Sequence, residues 1–293
     1  MYNLGHLGLY KNIPKKRMFN STPDYERDTY EVLQYKSHLR NEFLIPLKAN
    51  GDGSGVATIR LQSLETQSVK ITGNGRFYTD VSGATELGTE STIGTTSGSL
   101  YVKVPAGESC YLVCGKADKL SGLGSATTNV IADGVNVPYI NYCAINYPLI
   151  NLSAIRFSEV FNSSFTGSID NTPALTVLIF SNNLLSSFTG DIGKVVKCDY
   201  LSSHINTNCA FTYDTQRNDW TASYNTLWVS CSSMTSTMVD NLLIDLDASG
   251  VTPIGSGLIN LDGLCGAVTS ASAAARASLV NKGFTVVVNI QGE

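Results

Sequence analysis

Between Val56 and Leu64 apolar and polar side chains alternate, with Ala57, Ile59 and Leu61 on one side and Thr58, Arg60 and Gln62 on the other. That period of two is the mark of a strand with one covered face. SVKITGNGRFYTDV (68–81) predicts two strands joined by a Gly-Asn-Gly turn, a hairpin signal. SLYVKVPAGESCYLVC (99–114) predicts two more about Pro-Ala-Gly, after a Gly-, Thr- and Ser-rich stretch from Ser82 to Ser97. About five short antiparallel strands within 51–116 amount to a small β-sandwich. GDGSG (51–55) is glycine-rich but lacks the Lys-Ser/Thr of a phosphate loop and precedes a strand, so it reads as a turn.

Beyond residue 117 the pattern changes to short apolar runs, each followed by a polar residue where the chain can turn. They are IRFSEVFN (155–162), LIFSNNLL (178–185), CDYLSSHIN (198–206), LWVSCSSM (227–234), GLINLDGL (257–264) and FTVVVN (284–289). The apolar residues Phe157, Phe180, Leu201, Val229, Leu261 and Val288 mark the ends of the runs. Their spacings of 23, 21, 28, 32 and 27 residues fall mostly in the range of leucine-rich repeats. A phrase is also duplicated, SSFTGSI from Ser163 and SSFTGDI from Ser186. Each unit would supply a short strand whose apolar face only its neighbours can cover. Phe165 and Phe188 are then expected one coil apart in the core, with Gly167 and Gly190 at equivalent turns. Helical periods appear late, in MTSTMVDNLLIDLDAS (Met238, Leu242, Leu246) and in the Ala-rich SASAAARASLVNKGF, which Lys282 and Gly283 stop. The expected fold is α+β and strand-rich: a small antiparallel β-sandwich at 51–116, then an irregular leucine-rich-repeat-like solenoid at 117–293 with a C-terminal capping helix and strand.

Residues 1–50 differ from both. Only DYERDTYEVLQYKSHLRNEF (24–43) looks helical, with Asp24 placed to cap it. This region holds eight Lys or Arg against five acids, a net of +3, which leaves −7 for the rest of a chain whose total is −4. Upstream of the helix, large apolar and cationic side chains lack a usable period and gain burial only against another surface. Tyr2, Leu4, Leu7, Tyr10, Lys15, Lys16, Arg17 and Met18 are therefore candidate contacts of an anchoring arm.

The low charge, 15% of residues, and the acidic balance exclude an ordinary nucleic-acid binder. No apolar run is long enough to span a membrane, and the first residues do not have the order of a secretory signal. The seven cysteines lack metal-ligand spacing and read as buried thiols of a protein made in a reducing cytoplasm. His204 in YLSSHIN and the acids Asp245 and Asp247 in LIDLD carry no catalytic or calcium pattern, so no enzyme, cofactor or metal is expected. Trp220, Tyr224 and Trp228 in RNDWTASYNTLW could form a sugar-stacking platform if exposed.

The ending AAARASLVNKGFTVVVN resembles the last turn of repeat proteins from crAss-like and other bacteriophages and prophages of Bacteroidetes. SVKITGNGRFYTDVSG is similar to the small β-domain that often precedes such repeats, so the resemblance spans 56–293. It implies a virion structural protein, made in the host bacterial cytoplasm, with a repeat domain displayed on the particle. The expected role is a head fibre or accessory capsid protein whose arm docks on other virion proteins, as a dimer or trimer. The alternative is a tail-associated receptor-binding protein that contacts a host surface glycan or protein. A bacterial adhesin would need an export signal.

Overall fold

The structure is a computed structural model, and it describes residues 22–49, 55–125, 139–140, 143–156, 165–179, 187–203, 208–221 and 223–290. Among these, the first strands are β1 (Phe43–Lys48), β2 (Ala57–Ser63), β3 (Gln67–Ile71), β4 (Arg76–Tyr78), β5 (Glu86–Gly88), β6 (Glu90–Ile93), β7 (Gly98–Lys103) and β8 (Ser109–Cys114). There follow β9 (Leu120–Ser125), β10 (Tyr139–Ile140), β11 (Cys143–Ile145), β12 (Ala154–Arg156), β13 (Phe165–Ser168) and β14 (Val177–Ile179). The last are β15 (Ser187–Asp191), β16 (Tyr200–Ser202), β17 (Ala210–Thr212), β18 (Ser223–Trp228), β19 (Thr252–Leu261) and β20 (Thr285–Val288). The fold is α+β and strand-rich, with both antiparallel and parallel sheets.

The antiparallel part has two layers. One is the sheet β10-β1-β8-β3-β6; the other is the β2-β7-β4-β5 end of an eleven-stranded sheet. Period-two burial builds the core between them: Ile59, Leu61, Leu100 and Val102 from one layer meet Val69, Ile71, Leu112 and Cys114 from the other. The predicted hairpin at 68–81 does not form. β3 pairs with β6 and β8, whereas β4 pairs with β5 and β7. Gly73, Asn74 and Gly75 therefore carry the chain from one layer to the other. Alternation identified the strands, but their partners were set by which layer each could cover.

β1 lies within the first fifty residues and is part of the first sheet. Phe43, Ile45 and Leu47 belong to the common core, and β1 lies between β10 and β8 inside the first sheet. The opposite face of β1 is also covered. Leu44 and Val113 pack under Leu33 of the helix Tyr30–Leu39, flanked by Tyr25, Tyr30 and Tyr111. A strand buried on both faces reads as a continuous apolar run. The helix is shorter than expected, and Thr29 stands at its start. Asp24 instead accepts from the Glu26 amide within the preceding turn.

From β9 onward the large sheet turns parallel, β9-β12-β14-β16-β18-β19-β20. Its paired residues Leu123, Ile155, Leu178, Leu201, Leu227 and Ile259 are all buried, and they form one ladder across six strands. A second parallel sheet, β11-β13-β15-β17, runs alongside. Antiparallel and parallel parts share one core cluster, from Phe43 to Phe284.

The duplicated phrase lies in this second sheet. Phe165 and Phe188 are buried and stacked, with ring centroids 5.9 Å apart and planes within 10°. Strand pairing, however, sets Gly167 opposite Phe188, two positions from the sequence alignment. A shift of two residues keeps both rings on the same face, where a shift of one would have expelled one of them. Gly167 and Gly190 have φ of 144° and 123°, and each precedes a capped turn, with Ser168 and Asp191 accepting from the amide two residues on. Ile169 and Ile192 then fill the core.

The helix Ser236–Ala248 buries Val239, Leu242, Leu243 and Leu246, and Thr235 caps it by accepting from the Met238 amide. The helix Ala273–Asn281 buries Ala275 and Leu279, and the two helices are linked by Lys282, 2.7 Å from Asp247.

A Cβ on Gly190 would lie 2.7 Å from Ile169 Cγ1 and 2.8 Å from both Asp170 Oδ1 and Ser168 Oγ. Gly190→Ala is expected to cost about 1–3 kcal/mol from the backbone conformation and crowding together. Phe188→Ala is expected to cost about 3–5 kcal/mol. Urea unfolding of both variants against the parent measures the difference; an unchanged midpoint for either refutes its packing role.

Candidate functional site

A cavity lies where the helix Tyr30–Leu39 meets the first coil of the parallel part. Its position follows from how the helix is held. Lys36 reaches back from the helix to Asp28, 2.7 Å away, with both side chains 3% exposed, and also donates to the Thr22 carbonyl. The tertiary structure makes it the inner half of a buried ion pair.

On the coil side, Gln34 ties the helix to β11 and to the segment after it. Its Nε2 donates to the Ala144 carbonyl and its Oε1 accepts from Asn146 Nδ2. Tyr30 Oη accepts from the Ala144 amide. The His38 ring stacks on Tyr147 at 4.2 Å between centroids. Partial burial lowers the His38 pKa from its usual value, so the ring is uncharged at neutral pH.

The helix ends at Asn41, the one non-glycine residue of the described chain with positive φ, 59°. Asn tolerates that left-handed position at a helix end. Its side chain then fixes the short turn Ala117–Lys119: Asn41 Nδ2 donates to Asp118 Oδ1, and the Asp118 amide donates to Asn41 Oδ1. The Ala117 amide donates to the Asn41 carbonyl. The Asp118 pKa is held below the usual carboxylate value, first by the hydrogen bond from Asn41.

These contacts enclose a volume of about 210 Å³, with Phe43, Leu44, Ala144 and Leu149 among its walls. Two polar atoms of its lining residues, Ser37 Oγ and Glu42 Oε2, are buried without a hydrogen-bond partner. Buried polar groups are nearly always satisfied, and both atoms are fully covered by protein, so they are unmatched groups within the packing and not groups open to the cavity.

The residues proposed from sequence lie elsewhere. Trp220 and Tyr224 are core residues, 4% and 0% exposed, and their rings meet edge to face at 6.1 Å. Trp220 Nε1 donates to the Arg217 carbonyl. An exposed sugar platform is therefore not formed, and Trp228 is itself half-buried in β18. The platform depended on exposure, and the Trp220 ring is folded inward. Tyr2, Leu4, Leu7, Tyr10, Lys15, Lys16, Arg17 and Met18 lie outside the described residues, as does His204. All seven cysteines are buried free thiols. Burial pushes the pKa of Cys110, Cys114 and Cys198 up to about 12. Asp245 accepts from Tyr213 Oη and the Arg217 amide, while Asp247 pairs with Lys282.

Removing one partner of the buried ion pair leaves an uncompensated charge. Asp28→Ala is expected to destabilise the chain by about 3–5 kcal/mol, read from denaturant unfolding; a change no larger than that of an exposed pair such as Lys70–Glu90 refutes it. Burial also predicts that Cys110, Cys114 and Cys198 stay unmodified by a disulfide reagent at pH 8 until denaturant is added, as peptide mapping of the labelled chain would show. Compared with models of protein families, with curated proteins and with solved structures, the chain matches none of them.

Proposed function

We propose that this chain is a non-enzymatic bacteriophage virion structural protein, held on the particle by its basic N-terminal segment. It displays a leucine-rich-repeat-like solenoid outward, as a head fibre or accessory capsid protein. The reading rests on the resemblance of 56–293 to repeat proteins of phages that infect Bacteroidetes. The observation that carries its geometry is the course of the large sheet. Eleven strands run from β5 in the antiparallel layers to β20, a span of roughly 50 Å at the usual strand spacing. Residue 22, where the described chain begins, lies by the antiparallel end: Tyr25 packs on Tyr111 of β8 at 5.8 Å. A chain gripped through 1–21 would hold its parallel stack away from the point of attachment.

Other features are consistent with a scaffold. Asp170, Asp191, Asp245 and Asp247 are engaged in backbone or ion-pair contacts that tie coil to coil. The expected partners are neighbouring virion proteins and further copies of the chain, a dimer or trimer. The tail-associated receptor-binding reading loses its aromatic platform with the burial of Trp220 and Tyr224.

Particles banded on a density gradient should carry the chain, detected by immunogold labelling at regular positions. A variant lacking residues 1–21 should keep the parent melting temperature and fail to associate with particles. Particles free of the chain, or full association of the shortened variant, would overturn the proposal.

A further inference from the structure

We infer that Asn74, in the turn that crosses between the two antiparallel layers, is a site of spontaneous deamidation: the Gly75 backbone nitrogen attacks its side-chain amide, which ends as a carboxylate. This goes beyond the virion role and does not depend on it. The first observation is why an Asn-Gly pair stands here. β3 and β4 belong to different layers, so residues 72–75 must turn the chain out of one and into the other. Gly73 has φ of 67°, a backbone conformation that favours glycine. A Cβ on Gly75 would lie 2.7 Å from both Cys110 Sγ and Ile71 Cγ2, so packing excludes a side chain there. Asn74 is thereby given the one successor that puts no side chain in the way of ring closure.

The second observation is access to the reacting groups. Asn74 is exposed, on the wall of an open groove of about 710 Å³ that also takes in Gly73 and Glu108, so water and hydroxide reach its side chain. That side chain is held by a single exposed hydrogen bond, Nδ2 donating to Glu108 Oε2 at 2.8 Å. The turn is braced through its carbonyls, since Arg76 Nη1 donates to the Gly73 and Gly75 oxygens. The Gly75 amide itself makes no hydrogen bond among the described residues. A nitrogen fixed in a ladder would have to give up its bond before attacking; this one has none to give up.

The step balances with water as the co-reactant. The Gly75 nitrogen loses its proton to hydroxide and attacks Asn74 Cγ, and the attack is intramolecular because both atoms belong to one five-membered ring. The N–Cγ bond forms, the Cγ–Nδ2 bond breaks, and ammonia leaves with a proton from water, which restores the hydroxide. One water then opens the cyclic imide, at the side-chain carbonyl to give aspartate or at the main-chain carbonyl to give isoaspartate. Nothing is oxidised or reduced. Either product replaces the donor that Glu108 accepts from with a second carboxylate, so attraction becomes like-charge repulsion. Isoaspartate also inserts a methylene into the main chain where it changes layers.

The test is to hold the full chain at mildly alkaline pH and map its peptides by mass spectrometry, with an isoaspartyl methyltransferase as second readout. Asn50 also precedes glycine, so the peptide that contains Asn74, not the total isoaspartate, assigns the site. Conversion at Asn74 is expected in the folded chain within about tenfold of its rate in urea. It should quicken by about tenfold per pH unit, because the attacking nitrogen must first lose a proton. Asn74→Gln keeps an amide donor but would have to close a six-membered ring, and should abolish the conversion. Asn74→Asp, the aspartate product, should lower the urea midpoint, by less at high salt than at low salt. An Asn74 that converts in urea but more than about tenfold more slowly when folded, or conversion independent of pH, would overturn the inference; an unchanged midpoint in Asn74→Asp would overturn its structural consequence.

Discussion

No single coil of this protein can cover its own apolar face, and the rest of the structure follows from that constraint. The shortest parallel strands, such as β12, β14 and β16, contribute only three residues each, with one fully buried apolar side chain, Ile155, Leu178 or Leu201. Burying one such side chain is worth about 1.5–3 kcal/mol, too little to fix the backbone of more than twenty residues. Stability therefore accrues only as neighbours stack. The first coil needs a cover as well, and β9 supplies it by pairing parallel with β12 on one side and antiparallel with β2 on the other. The antiparallel layers thus act as the starting surface of the stack. At the far end the helix Ala273–Asn281 packs on β20 and on the helix Ser236–Ala248.

Hydrogen bonding works on the same scale as the packing. Asp191 is buried and accepts from the amides of Gly193, Asp214 and Thr215, while its own amide donates to Asp170. One carboxylate thus satisfies amides in its own turn and in the next coil. This explains why the phrase ends in Gly-Ser once and Gly-Asp once: both side chains cap a turn, and the longer one also reaches its neighbour. The cavity beneath the N-terminal helix arises differently, where an element outside the repeat is docked onto the first coil and the fit leaves two polar atoms unmatched.

Much of the parallel part was legible because its stacking depends on period. The duplicated phrase located Phe165 and Phe188, and the helices at 236–248 and 273–281 were readable from apolar spacing and the Lys-Gly stop. A third copy escaped notice. Phe211 lies 23 residues beyond Phe188, fully buried on β17, but its neighbours are Ala210 and Tyr213 where the phrase has Ser and Gly. The core position is retained while the polar dressing changes, so a search for matching letters misses what a search for matching burial finds.

The sequence by itself determined many of the strands, both late helices and which faces must be hidden, since these follow from the local order of apolar and polar side chains; β1, β5, β6, β11 and β17 carried no such local signal. Only the tertiary structure decided who pairs with whom. It moved β3 and β4 into different layers, drew β1 into the first sheet and turned Trp220 inward. It also gathered Ser37, Glu42, Asp118 and Ala144 from distant segments around one cavity. Pairing and enclosure depend on the competition among all available surfaces for cover, and that competition has no local signature along the chain.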